Sequence, residues 1–130
     1  MKYLVDTDWI IDGLANKSDA ITALRTLARD GIAVSIVSFA ELYEGAYGSQ
    51  NPQGEIARIQ QFLTSYPVIN LSDVITDRFG QARAQLRSQG RLIPDLDLLI
   101  GVTATVNNLT VMTRNVRHFG RIPGVVIYRP

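Results

Sequence analysis

At 130 residues and 14.4 kDa the chain has the size of one compact domain, and 46% hydrophobic against 19% charged residues excludes a disordered polymer. It has no cysteine, which excludes a disulfide framework, a thiolate nucleophile and Cys-based metal sites, and its single histidine, His118, excludes chemistry that needs two imidazoles. Thirteen basic against twelve acidic residues leave a formal charge of +1 and so no broad field for polyanions, yet 11 of the 13 are arginines, the side chain that grips phosphate or carboxylate in a fork.

Short β-rich runs alternate with helical patterns along the chain, which predicts a parallel α/β sheet. Tyr3–Val5 reads as a buried strand, followed by a helix over Asp8–Ala15 and another from Asp19, with Ala20, Ile21, Leu24, Leu27 and Ala28 on one face and Gly31 as its stop. Ala33–Val37 reads as the second strand. Ser38 then looks like the cap of a helix carrying Glu41, Leu42 and Ala46 as far as Gly48. Ile56, Ile59, Phe62 and Leu63 mark the next helix, Pro67–Ile69 a third strand, and Ser72 the cap of a helix carrying Val74, Ile75, Phe79, Ala82 and Leu86, stopped by Gly90. Pro94 fits the first turn of a helix whose small and apolar residues predict burial on most sides. Leu109–Thr113 and Val125–Tyr128 read as the closing strands. There is no repeat, low-complexity tract or linker, so a single domain over residues 1–130 is expected. Asp6 interrupts the N-terminal apolar run too early for a signal peptide, and the run from Leu98 to Val106 is too short to span a bilayer. The expectation is a cytoplasmic protein with no membrane partner.

Parallel α/β sheets bind ligands beyond the carboxyl ends of their strands. Asp6 follows the first strand, Glu41 lies in the first turn of the helix after the second, Asp95 and Asp97 open the buried helix, and Asn115 follows the Leu109–Thr113 strand. Each has a structural reading. Ser38–Glu41 matches a capping box, Asp95 suits an N-cap, Asp97 favours a helix N-terminus, and Asn115 suits a turn. Taken together they point further. Two carboxylates about 4 Å apart repel by roughly 4 kcal/mol at an effective dielectric near 20, so three that converge need protons or a cation. With oxygen donors only, the fitting cation is Mg²⁺, with Mn²⁺ as the alternative.

These segments resemble the PIN-domain ribonucleases, and among them the toxins of VapBC toxin–antitoxin pairs. The resemblance runs through Tyr3–Asp8, Ser38–Leu42, Asp97–Gly101, Val111–Asn115 and Phe119, in order and in register along nearly the whole chain. It implies a three-layer α/β/α PIN-like domain around a central parallel sheet. It also implies a Mg²⁺-dependent endoribonuclease in which Asp6, Glu41 and Asp97 bind metal, Asn115 takes a position that is Asp in many members, and activated water attacks the RNA phosphodiester. An acid three residues before Ile100 selects Asp97, and Asp95, about 200° round the helix, becomes a cap or a more distant support. Thr7 or Thr113 would orient a water. A homodimer and a cognate antitoxin protein follow from the same resemblance, and Gly101 stands where Ala is commoner.

Two other readings are kept. Asp6–Thr7–Asp8 matches the entry motif of haloacid-dehalogenase-type phosphatases, but the lysine that such an enzyme needs later in the chain is missing, since Lys2 and Lys17 are the only two. A non-catalytic PIN-like binding module would keep the fold without turnover, against the retention of all three acids. On the substrate side, Arg83, Arg87 and Arg91 form a stripe if their helix continues that far, and Arg114 and Arg117 flank the expected site. His118 reads as structural or exposed.

Overall fold

The computed structural model describes residues 1–130. Four short strands make an all-parallel sheet: β1 (Tyr3–Val5), β2 (Ile32–Ser35), β3 (Val68–Ile69) and β4 (Thr110–Met112), in the order β3-β2-β1-β4. Around them run α1 (Thr7–Leu14), α2 (Ser18–Ala28), α3 (Ile36–Tyr47), α4 (Pro52–Leu63), α5 (Asp73–Ser88), α6 (Asp95–Val106) and the short α7 (Val116–Phe119). Side chains alternate across the pleat, so the strands feed two cores. Tyr3, Val5, Ile32 and Val34 pack with Ile10, Leu24, Leu42 and Ile59 of α1–α4. Leu4, Ala33 and Val111 pack with Ile75, Leu86, Leu98 and Phe119 of α5–α7. This is the expected α/β/α arrangement, with β1 central and its carboxyl end level with those of β2 and β4 through the pairs Val5–Val34 and Val5–Met112.

Local chemistry sets most boundaries. Ser72 Oγ accepts the Ile75 N–H, Asn51 Oδ1 accepts the Gly54 N–H ahead of a first-turn proline, and Gly31 and Gly90 take φ of +95° and +65° as the expected stops. Leu98, Ile100, Val102 and Ala104 are buried within α6, each large side chain stabilising the fold by about 1.5–3 kcal/mol.

Several expectations need correction. The second strand stops at Ser35, whose Oγ accepts the Val37 N–H, so Ile36 and Val37 open α3 rather than close the strand. Ser38 is therefore a buried third residue of that helix and not its cap. Likewise α1 begins at Thr7, capped by Asp6, and Asp95 is the first residue of α6 behind Pro94, not its cap. The Val125–Tyr128 strand shrinks to one bridge, Val111 to Ile127, held by Val111 N–H to Val126 O and Tyr128 N–H to Val111 O, both 2.8 Å. Finally, α5 ends at Ser88, which takes Arg91 out of the arginine stripe, while Arg83 pairs with Asp95 at 2.8 Å. A Cβ on Gly101 would meet Ile122 Cδ1, the tip of a flexible side chain, where α7 and its following turn press on α6.

Candidate active site

The first strand delivers Asp6 to the carboxyl edge of the sheet, where it is buried yet flanked by hydrogen-bond donors. Its Oδ1 accepts the Thr7 N–H at 2.8 Å and its Oδ2 accepts the Thr113 hydroxyl at 2.7 Å. Thr113 follows β4, and its Oγ1 also accepts the Asn115 N–H at 2.9 Å. Glu41 lies in the second turn of α3, and its Oε1 accepts the Thr7 hydroxyl at 2.6 Å, Thr7 being hydrogen-bonded in turn to Ser38 Oγ at 2.9 Å. The two threonine hydroxyls thus each meet a carboxylate of the cleft. Asp97, in the first turn of α6, lies with its Oδ2 3.0 Å from His118 Nδ1.

These residues meet in one open cleft of about 480 Å³. Asp6, Asp8, Glu41, Glu44 and Asp97 line it together with Asn115, and no basic residue does. Five of the chain's twelve acids are thus gathered at one sheet edge. Burial pushes the Asp6 carboxyl up to about 7, the Asp8 and Asp97 charges add to the rise, and the Thr113 and Thr7 hydrogen bonds oppose it. Burial raises Asp8 as well, against the Arg114 and Trp9 N–H groups that its two oxygens accept. Each oxygen of Asp6 and of Asp8 thus accepts one hydrogen bond from the protein and keeps a second lone pair.

The donor set suits a hard divalent cation. Glu41 Oε2 and Asp97 Oδ1 have no partner in the protein, and the like charges around Asp6 lack a protein cation. No three acidic or histidine side chains converge tightly enough to cage an ion by themselves.

Other predicted residues lie elsewhere or act differently. Asp95 turns to Arg83 and is absent from the cleft lining. Arg114 is occupied, with Nε on Asp12 at 2.8 Å, a terminal nitrogen on Asp19 at 2.9 Å and the guanidinium 3.7 Å over the Trp9 ring. It ties α1 and α2 to the β4–α7 turn instead of reaching for phosphate. Arg117 is exposed on α7 and has no carboxylate partner. Sequence reasoning named Asp8 only for the phosphatase reading, and it missed Glu44 as a lining group and above all His118. Helical spacing gives a signal for Glu44, three residues after Glu41, but none exists for His118.

A family model described as PIN domain matches residues 3–125. The chain is 30% identical over 125 residues to the tRNA(fMet)-specific endonuclease VapC of Shigella flexneri, covering 96% of this chain and 95% of that protein. It is 30% identical over 129 residues to ribonuclease VapC2 of Rickettsia felis, covering 98% and 96%. Among solved structures, VapBC2 from Rickettsia felis bound to a DNA fragment from their promoter contains a chain similar at TM-score 0.91 and 28% identity, over 98% of each chain.

Proposed function

The chain belongs to the PIN-domain family, alongside the VapC ribonucleases, and from that membership we propose that it is an endoribonuclease, the toxin of a pair whose cognate antitoxin protein holds it in check. The observation that carries the catalytic reading is the cleft of five acids without a base, built on strand and helix ends. PIN-domain nucleases depend on metal, and the oxygen-only side chains with free lone pairs here support Mg²⁺, with Mn²⁺ able to replace it. Asp97 and Glu41 would hold the cation through their free oxygens, with Asp6 supplying charge from behind and Asn115 an amide at the rim. The chemistry a bound divalent cation supplies is activation of water and neutralisation of the leaving oxygen.

The protein's own contribution is placement. Thr7 and Thr113 fix the Glu41 and Asp6 carboxylates, and the buried sheet edge keeps these groups in one arrangement before the substrate arrives. RNA, presented as single strands, is the proposed substrate. Residues 1–130 would work as one domain, in the cytoplasm and as a homodimer; no helix is long and apolar enough to cross a membrane.

The test is cleavage of single-stranded RNA by the purified chain with Mg²⁺ and with chelator, followed by sequencing of the cut ends. Cleavage should require the metal and fall to background in Asp97→Asn, while Asp95→Asn stays active and the cognate antitoxin suppresses it. Turnover of a small phosphomonoester in place of RNA would support the phosphatase reading. Absence of both Mg²⁺ binding and turnover of either substrate would leave the metal-free binding module.

A further inference from the structure

We propose that His118 is a positioning residue of this site, one that fixes the Asp97 carboxylate so that a single oxygen is left for a divalent cation. The proposal rests on the metal-dependent reading above. Its basis is a juxtaposition between α6 and α7: His118 Nδ1 lies 3.0 Å from Asp97 Oδ2 and 2.7 Å from the Asn115 amide nitrogen, so the chain's only imidazole stands between two groups of the cleft.

Proton counting decides what the ring does. A neutral imidazole nitrogen either donates or accepts. A bare Nδ1 would satisfy the Asn115 amide but turn its lone pair onto a carboxylate already surrounded by four other acids. A protonated Nδ1 donates to Asp97 Oδ2 instead, which relieves that repulsion and leaves the Nδ1–H facing the Asn115 amide N–H, the weaker of the two conflicts because both of those groups are neutral. Oδ2 is then engaged, Oδ1 has no partner in the protein, and rotation of the carboxylate is stopped. The ring itself is well supported. Asn115 caps α7 through its Oδ1 and the His118 N–H, and the adjacent Phe119 is fully buried against α6 at Gly101. Position 118 therefore follows α6 closely although its own side chain is about a third exposed.

Carboxylates that ligate metals are usually held by such partners, and losing the partner typically costs 10–100-fold in metal affinity. The experiment is calorimetric titration of Mg²⁺, and separately Mn²⁺, into the RNA-free protein, its His118→Ala and His118→Asn variants, with the metal-free melting temperature of each. His118→Ala should weaken both metals by about 10–100-fold with little change in metal-free melting. His118→Asn, whose amide N–H falls near the Nδ1 position, should recover most of the loss. In cleavage assays His118→Ala should need more Mg²⁺ for half-maximal rate yet approach the parent rate at saturation. Unchanged affinity in His118→Ala overturns the proposal. So does a loss confined to Mn²⁺ that His118→Asn fails to restore, which would make the imidazole a ligand itself, and so does a large drop in metal-free melting, which would make it structural. If the parent protein binds neither metal, the metal-dependent reading fails, and the role of His118 with it.

Discussion

The Asp6 carboxyl rises from its usual 3.8 to about 7 because it is buried beside Asp8 and Asp97, and this couples the metal-free fold to pH. Between those two values the folded protein keeps a proton that the unfolded chain has lost. Stability from this group is therefore undiminished below about pH 4, falls as the pH climbs towards 7, and is level above. One pKa unit is worth 1.36 kcal/mol, so the whole fall is at most about 4 kcal/mol. Asp6→Asn removes it while keeping an acceptor for the Thr7 N–H and letting the Thr113 hydroxyl turn to accept. In chelator at pH 8 that variant should be more stable than its parent by about 1–4 kcal/mol. Urea unfolding from pH 5 to 8 should slope downward for the parent and be flatter for Asp6→Asn. Mg²⁺ should stabilise the parent more than Asp6→Asn, because this charge strengthens its binding to the folded state. Parallel pH curves for the two proteins would mean that Asp6 is not the titrating group.

Between elements, the fit of α7 on α6 sets where Asn115 and His118 stand. A four-residue helix has little stability of its own, so α7 depends on its Asn115 cap and on Phe119 and Ile122 lodging where Gly101 leaves room. Gly101→Ala should force Ile122 aside, costing about 1–3 kcal/mol and weakening Mg²⁺ binding in step as Asn115 and His118 shift. Unfolding midpoints and metal titration check both effects, and a variant indistinguishable from its parent would show that the contact yields freely. The same junction marks where the sequence stops being legible. α2, α4 and α5 are readable because apolar spacing, the cap at Ser72 and the stops at Gly31 and Gly90 are local signals. Asp6, Glu41, Asp97 and Asn115 are readable as candidates because they stand at or near element ends. Ile36–Val37 misleads, since a β-branched pair after a strand looks like more strand until the Ser35 hydroxyl caps a helix instead. The contact between residues 97 and 118 has no sequence signal at all, because α7 is too short for periodicity and packing against Gly101 sets its place.

For the whole molecule, a charge of +1 leaves little long-range attraction for RNA, and the cleft itself is acidic, so any grip on phosphate must come from individual arginines. The structure divides them. Arg58, Arg83 and Arg114 are paired with carboxylates, whereas Arg87 and Arg117 are not. Arg117 lies two residues from Asn115 on exposed α7, which puts it nearest the proposed path. Each phosphate neutralised on a single strand adds about 0.7 to the slope of log affinity against log salt, through release of counterions. In a cleavage-dead Asp97→Asn background at constant Mg²⁺, Arg117→Ala should weaken RNA binding and lower that slope by about 0.7. Arg114→Ala should leave the slope alone and lower the melting temperature instead, more at low salt than at high, because its partners are Asp12, Asp19 and the Trp9 ring. Arg87→Ala, on α5, should change neither. A reduced slope for Arg87→Ala beside an unchanged one for Arg117→Ala would move the RNA onto the α5 face, and a reduced slope for Arg114→Ala would mean that its ion pairs open when RNA binds.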